Sequence, residues 1–564
     1  MQIKNADDAA ALIQDGWTVA SAGFLGVGHA EAVTEAIERR FLRTGFPRAL
    51  TLLYSAGQGD RATRGASHFG HKGLVRRVIG GHWRSAPRLC RLAIDEEIEA
   101  FNLPQGVITQ LYRAIAGGKP GVITRIGLHT FVDPRHGGAR INARQGEDLV
   151  ELVSLGGEEY LRYKPLPIDC ALIRATTADL HGNLSTEHEP FHHELLAIAQ
   201  AARNSGGIVI AQVKRTVRAH RDPRAVCVPG ILVDHVVVVG EHPLHHAMTF
   251  ASYFDPAFLG RHSRDGGQPW GSRRTAQPHT AQPRTGEDRA ARTQIRVAGA
   301  SASSEAGGAA HRSARPSDPR LIVQRRALLE LVRAAPRVVN LGVGMPAGVG
   351  ALARAEGVAG FVLTVEAGPI GGTPADGLSF GAAEYPQAIV DQPAQFDFYD
   401  GGGLDMAFLG MAEVDAQGSV NVGVFGHGAS RRIAGVGGFI NITQSTRELV
   451  FMGTLTSGGL CLEIADGELH ISREGRHRKF VDSLAQLSFN GPYAARRNTR
   501  VTYITERAVF RLAGGRLTLT ELAPGVDAAR DVLALCPAGV VVADSIATMD
   551  ARIFRDGAMG LSAA

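Results

Sequence analysis

A chain of 564 residues exceeds what one hydrophobic core supports, so at least two domains are expected. Hydrophobic residues at 44% and charged residues at 20% describe an ordinary globular protein, and no apolar run approaches the ~18 residues of a membrane span. The net charge of +5 is small, with much of the basic excess in the 260–320 region, which argues against a nucleic-acid binder; five scattered cysteines without a CxxC pair argue against a disulfide framework or a zinc site and fit a reduced cytoplasm.

The N-terminus is polar and runs straight into a helix pattern, with no visible signal peptide. The spacing predicts a short amphipathic helix over 7–15, closed by Gly16. A strand follows at 17–21, then a glycine loop, Gly23 to Gly28, a helix at about 29–43 stopped by Gly45, and a strand at 49–54 ending in Ser55-Ala56-Gly57-Gln58-Gly59-Asp60. This is a βαβ unit with its loop at a helix N-terminus. Further on, a helix is expected at about 107–116, a loop-flanked strand at 121–127, a strand at 170–175, a helix near 193–203, and strands at 207–213 and 233–239.

From about 261 to 317 the chain is rich in Arg, Ser, Ala, Gly, Gln, Thr and Pro and lacks apolar periodicity, which predicts a flexible interdomain linker. Ser317-Asp318-Pro319 then predicts a helix start, with that helix running to about 334. A strand is expected at 338–341, the loop Gly342-Val343-Gly344-Met345-Pro346 after it, a helix at about 347–355 and a strand at 360–365. Both halves thus open helix–strand–glycine loop–helix–strand, and both later carry an Asp-x-x-Gly turn after an apolar strand, at Asp179 and at Asp415. The expected architecture is two similar open-sheet α/β domains, 1–260 and 318–564, with a ligand cleft between their loop ends.

Glu366 stands at the end of the 360–365 strand, where open α/β sheets put their ligands. A lone glutamate in a glycine-rich loop is by default a solvated turn residue. Here it is followed by Ala367, Gly368, Gly371 and Gly372, small residues that would let a bulky substrate approach. Gly437-Gly438, before Phe439, could present two backbone amides as an oxyanion hole. The 22-residue spacing from Gly344 to Glu366 also fits the ribose-binding acid of a nicotinamide site, although such an acid is not usually followed by a run of small residues. No HExxH or GxSxG pattern competes, and His427 reads as a loop residue.

Taken together, Gly342-Val343-Gly344-Met345-Pro346, Val365 to Gly372 and Gly437 to Gln444 resemble family I coenzyme A transferases, with the single-chain acetate/propionate/short-chain 3-oxoacid type the nearest in kind. In the N-terminal half Gly57-Gln58-Gly59-Asp60, Asn102-Leu103-Pro104-Gln105-Gly106, Thr130 to Arg135 and Val228-Pro229-Gly230 extend the resemblance. It implies a duplicated α/β fold and a nucleophilic glutamate at Glu366, which passes CoA between a short-chain acyl-CoA and a carboxylic acid through a glutamyl-CoA thioester. Gln105, Gly437 and Gly438 are the implied oxyanion donors, with Gln58 a weaker candidate. Gly342, Val343, Gly344, Met345 and Phe439 would line the CoA site. The resemblance further implies no permanently bound cofactor, no metal, CoA as a substrate, and a homo-oligomer. An acyl-CoA hydrolase and a non-catalytic CoA-binding protein are the alternatives on the same scaffold. The linker looks longer than this family usually carries.

Overall fold

The computed structural model describes residues 1–144, 146–220, 222–260, 318–426 and 430–561. The expected linker and His427 both lie outside them.

The N-terminal half forms one sheet from β1 (Gln2–Lys4), β2 (Thr18–Ser21), β3 (Leu50–Tyr54), β4 (Val75–Gly80), β5 (Glu99–Phe101), β6 (Cys170–Asp179), β7 (Ile208–Val217) and β8 (His235–Val238), ordered β1-β8-β7-β6-β2-β3-β4-β5 and parallel throughout; one short strand pairs antiparallel with β6. The C-terminal half is built on β9 (Val338–Leu341), β10 (Val362–Thr364), β11 (Met406–Gly410), β12 (Glu448–Met452) and β13 (Arg500–Ile504). Their order is β10-β9-β11-β12-β13, again parallel, with antiparallel strands added at both edges. Central strands such as β2 and β3 are buried at every position, as parallel strands covered on both faces must be.

The repeat is structural. The order β8-β7-β6-β2-β3 in the first sheet matches β13-β12-β11-β9-β10 in the second. The two Asp-x-x-Gly turns are built alike. Asp179 Oδ1 accepts from the His181 and Asn183 amides at 2.9 and 3.0 Å, and Asp415 Oδ1 accepts from those of Gln417 and Ser419 at 2.9 and 2.8 Å.

Seven helices matter for the site: α1 (Ala6–Ala11), α2 (Glu31–Thr44), α3 (Gln105–Ala116), α4 (Pro319–Ala334), α5 (Ala347–Ala355), α6 (Gln392–Asp400) and α7 (Phe439–Ser445). Gly45 ends α2 in the left-handed region at φ 74°, and the Asp318 side chain caps α4 by accepting from the Arg320 amide at 2.9 Å. Several expectations need adjusting. α1 stops four residues short of the predicted end, so Gly16 (φ 75°) turns the chain beyond the helix rather than capping it. α3 starts two residues early, at Gln105, because Pro104 presets the entry angle at φ −59°. The 121–127 segment contributes only Val122–Thr124, in a separate three-stranded antiparallel sheet.

The halves share a core. Phe101, Val107 and Ile108 of the first belong to the same buried cluster as Phe396, Tyr399 and Phe439 of the second. Backbone bonds stitch the seam: Gln105 N–H donates to Gly437 O (3.0 Å), Gly437 N–H to Gly81 O (2.8 Å) and Trp83 N–H to Ala434 O (2.8 Å). Asn102 reinforces it, accepting from the Val436 amide at 2.9 Å while donating to Gly80 O and Gly81 O at 2.8 and 2.6 Å.

Candidate active site

At this seam lies a cavity of about 350 Å³ with Glu366 on its wall. Its lining comes from the carboxyl ends of parallel strands and the loops that follow: Leu341 to Val343 at the end of β9, Val365 and Glu366 after β10, Leu409 to Ala412 at the end of β11, and His82 and Arg84 after β4. That is where open α/β sheets place ligands, since successive strands end there and their loops diverge.

Glu366 sits in a tight turn. The Gly368 N–H donates to Val365 O, the Val365 N–H to Pro369 O and the Gly371 N–H to Leu363 O, at 2.9, 2.9 and 2.7 Å. Gly368, Gly371 and Gly372 all have positive φ, and a methyl on each would strike the 384–390 segment, at Val390 O, Gln387 and Glu384 O. These glycines therefore serve the turn and close packing of the chain on itself. They do not open the site, which corrects the reading of the small residues as substrate clearance.

The solvated-turn reading of Glu366 also fails. Its side chain keeps part of its surface on the cavity wall but is ringed by protein, and burial raises its carboxyl to about 7. Gln105 opposes that rise by favouring the carboxylate. The Gln105 Nε2 is buried and has no fully formed hydrogen bond among the described residues. Gly438 is the closest fit: a methyl there would lie 2.1 Å from Glu366 Oε2.

The donors near Glu366 divide sharply. Gly437 N–H is committed to Gly81 O and Phe439 N–H to Val436 O, at 2.8 and 3.0 Å. Gly438 N–H has no acceptor among the described residues. Gln58 is fully engaged elsewhere: Oε1 accepts from Ser21 Oγ (2.8 Å) and meets His29 Nδ1 (2.7 Å), while Nε2 donates to Ser21 O (2.7 Å) and Gly23 O (3.4 Å). It ties a loop to β2 and has no bonding capacity left for a substrate.

Of the other expected residues, Gly342, Val343 and Phe439 line the cavity. Gly344 and Met345 do not; Met345, in the turn that leads into α5, packs toward the cluster under α4 and α5. Sequence reasoning missed Asn340, Tyr399, His82 and Arg84. Asn340 faces the cavity and donates to Thr364 O and Tyr399 Oη, both at 3.3 Å, while Tyr399 Oη donates to Thr364 Oγ1 at 2.9 Å, so the strand that delivers Glu366 is braced from the next strand and from α6. A polar residue inside the apolar run Val338-Val339-Asn340-Leu341 was the available signal. Among the described residues no cluster of histidine, cysteine or carboxylate side chains could hold a metal ion, and no helix is long and apolar enough to cross a membrane.

The coenzyme A transferase family model matches residues 3–239. The chain is 41% identical over 562 residues to acetate CoA-transferase YdiF of Escherichia coli O157:H7, covering 99% of this chain and 96% of that protein. It is 38% identical to caffeate CoA-transferase of Acetobacterium woodii, over 99% and 98% of the two chains. A crystal structure of the acyl-CoA transferase YdiF from E. coli O157:H7 in a thioester complex with CoA superposes with a TM-score of 0.84 at 38% identity, over 99% of this chain and 97% of that one. With the expected duplicated fold present and relatives matched end to end, the chain belongs to the coenzyme A transferase family, as a single-chain acyl-CoA:carboxylate CoA-transferase of family I.

Proposed function

We propose that the protein moves CoA from a short-chain acyl-CoA to a carboxylic acid by a two-stage mechanism in which Glu366 is the covalent nucleophile. One observation carries this reading: a carboxylate stripped of most of its hydration, on the wall of a cavity between the halves, beside the Gln105 side-chain amide that favours its charged form and a Gly438 N–H committed to no backbone acceptor among the described residues.

The Glu366 carboxylate attacks the thioester carbonyl; the C–S bond breaks, and an acyl-glutamyl anhydride and CoA thiolate result. The thiolate attacks the glutamyl carbonyl, the anhydride C–O bond on the glutamyl side breaks, and the first carboxylate leaves glutamyl-CoA behind. The acceptor carboxylate then runs both steps in reverse. One thioester is exchanged for another, so the scheme calls for neither ATP nor a net proton transfer. Each tetrahedral stage concentrates charge on an oxygen, and Gly438 N–H with Gln105 Nε2 are the donors assigned to it. Gly437 contributes through its carbonyl bond to Gln105 and its amide bond to Gly81, which hold the donors in place. Gly342, Val343 and Phe439 contact the pantetheine arm, with Gly344 and Met345 acting through the loop that carries them. Burial makes the carboxylate more basic, hence a better nucleophile, and limits the water that could hydrolyse the anhydride. The relatives named for acetate and caffeate support a monocarboxylic acid as acceptor. A homo-oligomer and a division into units at 1–260 and 318–564 belong to the same reading.

The test is peptide mass spectrometry after mixing protein with acetyl-CoA and reducing with borohydride. The peptide carrying Glu366 should lose one oxygen and gain two hydrogens, the mark of a thioester reduced to an alcohol. Consumption of acetyl-CoA with that peptide unchanged would overturn the covalent route and favour direct hydrolysis.

A further inference from the structure

The two halves enclose a second cavity, of about 300 Å³, that shares no lining residue with the one beside Glu366. The segment 422–425 divides them: Val422 and Phe425 line the Glu366 cavity, and Val424 lines the other. The first half supplies Phe131, His136 and Arg140; the second supplies Arg431 and the 484–487 segment. The Phe131 N–H donates to Leu487 O at 2.8 Å and joins the two walls.

The lining has an apolar part, a basic part and no carboxylate among the described residues. Phe131, Val424, Leu484 and Leu487 are the apolar part. In the basic part Arg140 is already engaged: it pairs with Asp148 at 2.9 Å, donates to Gly146 O at 2.6 Å and lies over the Phe101 ring. Arg431 is different. It is half-buried, reaches across the seam to donate to Ile141 O, and has no carboxylate at ion-pair distance among the described residues. One half-buried guanidinium without a counter-charge, facing apolar walls, suits a single carboxylate on a short apolar body. The volume stands at the small end of ligand cavities, which span roughly 300–1,000 Å³.

This cavity also touches the chain that carries the oxyanion donors. Gly423 O accepts from the Ala434 and Gly435 amides at 2.8 and 3.1 Å, just ahead of Gly437 and Gly438. Gln486, on the cavity wall, lies so close to Gly423 that a methyl there would be 2.0 Å from its Oε1, an atom that is buried without a hydrogen-bond partner among the described residues. A ligand that displaces Gln486 therefore shifts Gly423 and the amides it holds.

We propose that the second cavity is an effector site that takes a small carboxylate with an apolar body, bound through Arg431, and passes its occupancy to the Gly435–Gly438 loop through Gln486 and Gly423. The binding stands apart from the CoA-transfer reading above, and the effect on rate rests on it. The acids consumed and released in CoA transfer belong to the same chemical class, so the cavity makes turnover answer to acid concentration.

The probe is 4-bromobenzoate. Crystals soaked in it should show anomalous bromine density beside Phe131 and Leu484. In calorimetric titration the binding event at that position should weaken at least tenfold in Arg431→Met and recover in part in Arg431→Lys. Ala485→Phe, a change at an exposed lining position, should exclude the probe as well. At saturating substrates the probe should shift kcat at least twofold in the wild-type protein and leave Arg431→Met unmoved, while kcat without the probe stays within about twofold in both. Bromine found only beside Glu366 overturns the proposal. Inorganic phosphate bound as tightly at Arg431 would show an adventitious ion only. An equal response of kcat in wild type and Arg431→Met, or none in wild type with the cavity filled, overturns the effector role. The bromine position is read without turnover, so failure there is distinct from failure of the borohydride test, which bears on Glu366.

Discussion

Glu366 combines a reaction requirement with a stability cost. Its carboxyl is raised from an ordinary glutamate value to about 7, with burial as the cause. In the unfolded chain the group ionises first as pH rises, so the stability that the protonated, buried form contributes is present at low pH and is lost as pH climbs from about 4.5 through about 7. Above that range the buried carboxylate costs roughly 3 kcal/mol. Two measurements follow. The rate constant for acyl transfer to the enzyme should rise with pH through an inflection near 7, read by rapid-quench kinetics between pH 5 and 8.5. Glu366→Gln should lose roughly three orders of magnitude or more in kcat, while its urea midpoint rises at pH 8 and stays near wild type at pH 5. A stability gain equal at both pH values would show that desolvation of the charge is not the cause. The two neighbouring glycines should behave differently. Gly438→Ala puts a methyl 2.1 Å from Glu366 Oε2 and should abolish turnover by displacing the carboxylate, with the fold retained by circular dichroism. At Gly437→Ala the new methyl would meet Gln105 Oε1 at an ordinary 3.5 Å; its cost is backbone strain at φ 55°, about 1 kcal/mol, read as a lower melting temperature with much smaller kinetic loss.

At the scale of elements, the site depends on how β4, α3 and the loop before α7 are pinned together. Asn102 does most of that pinning, since one buried amide satisfies Gly80 O, Gly81 O and the Val436 N–H. Asn102→Leu removes all three bonds and leaves the Val436 N–H without its acceptor, while Gly81 O keeps the Gly437 N–H and Gly80 O the Trp83 indole N–H; it should destabilise by about 1–3 kcal/mol in chemical denaturation, with kcat falling because Gly437, Gly438 and Gln105 lose their shared reference. A variant with normal stability and normal rate would mean the seam is held by backbone bonds alone. The elements themselves were largely legible in the sequence. Apolar runs bounded by glycine gave β2, β3 and β9, and Asp318-Pro319 and Gly45 gave helix ends, because these signals are local. The added antiparallel hairpins were not, since pairings such as Cys461–Ala465 with Glu468–Arg473 lie at the edge of the molecule, where alternation is weak.

The whole molecule is a repeat folded on itself, with the carboxyl ends of strands from both halves turned toward one cavity. The two Asp turns offer a direct check on the equivalence. Asp179→Ala and Asp415→Ala each remove two charge-assisted bonds to backbone amides, and should each lower stability, by about 1–3 kcal/mol, in thermal melts. A large loss at one and none at the other would deny the turns a common structural role. Cleavage at a protease site engineered between residues 260 and 318 should leave two fragments that remain associated, as a shared buried cluster requires. Separation of the fragments after cleavage would contradict that shared core.

What the sequence determined by itself was whatever short-range chemistry fixes: the strand and helix order, the duplication, the glutamate at a strand end, and the co-ordered glycine motifs that carry the family resemblance. Tertiary structure alone decided which groups have free bonding capacity. Gly437 looks as eligible as Gly438 in the sequence, and Gln58 stands behind Gln105 only as a weaker candidate, yet Gln58 and Gly437 are saturated by bonds to Ser21, His29 and Gly81 while Gln105 Nε2 and the Gly438 N–H are not. Partners distant in the chain set both outcomes, and burial, which sets the ionisation of Glu366, is a property of the assembled seam and of no segment alone.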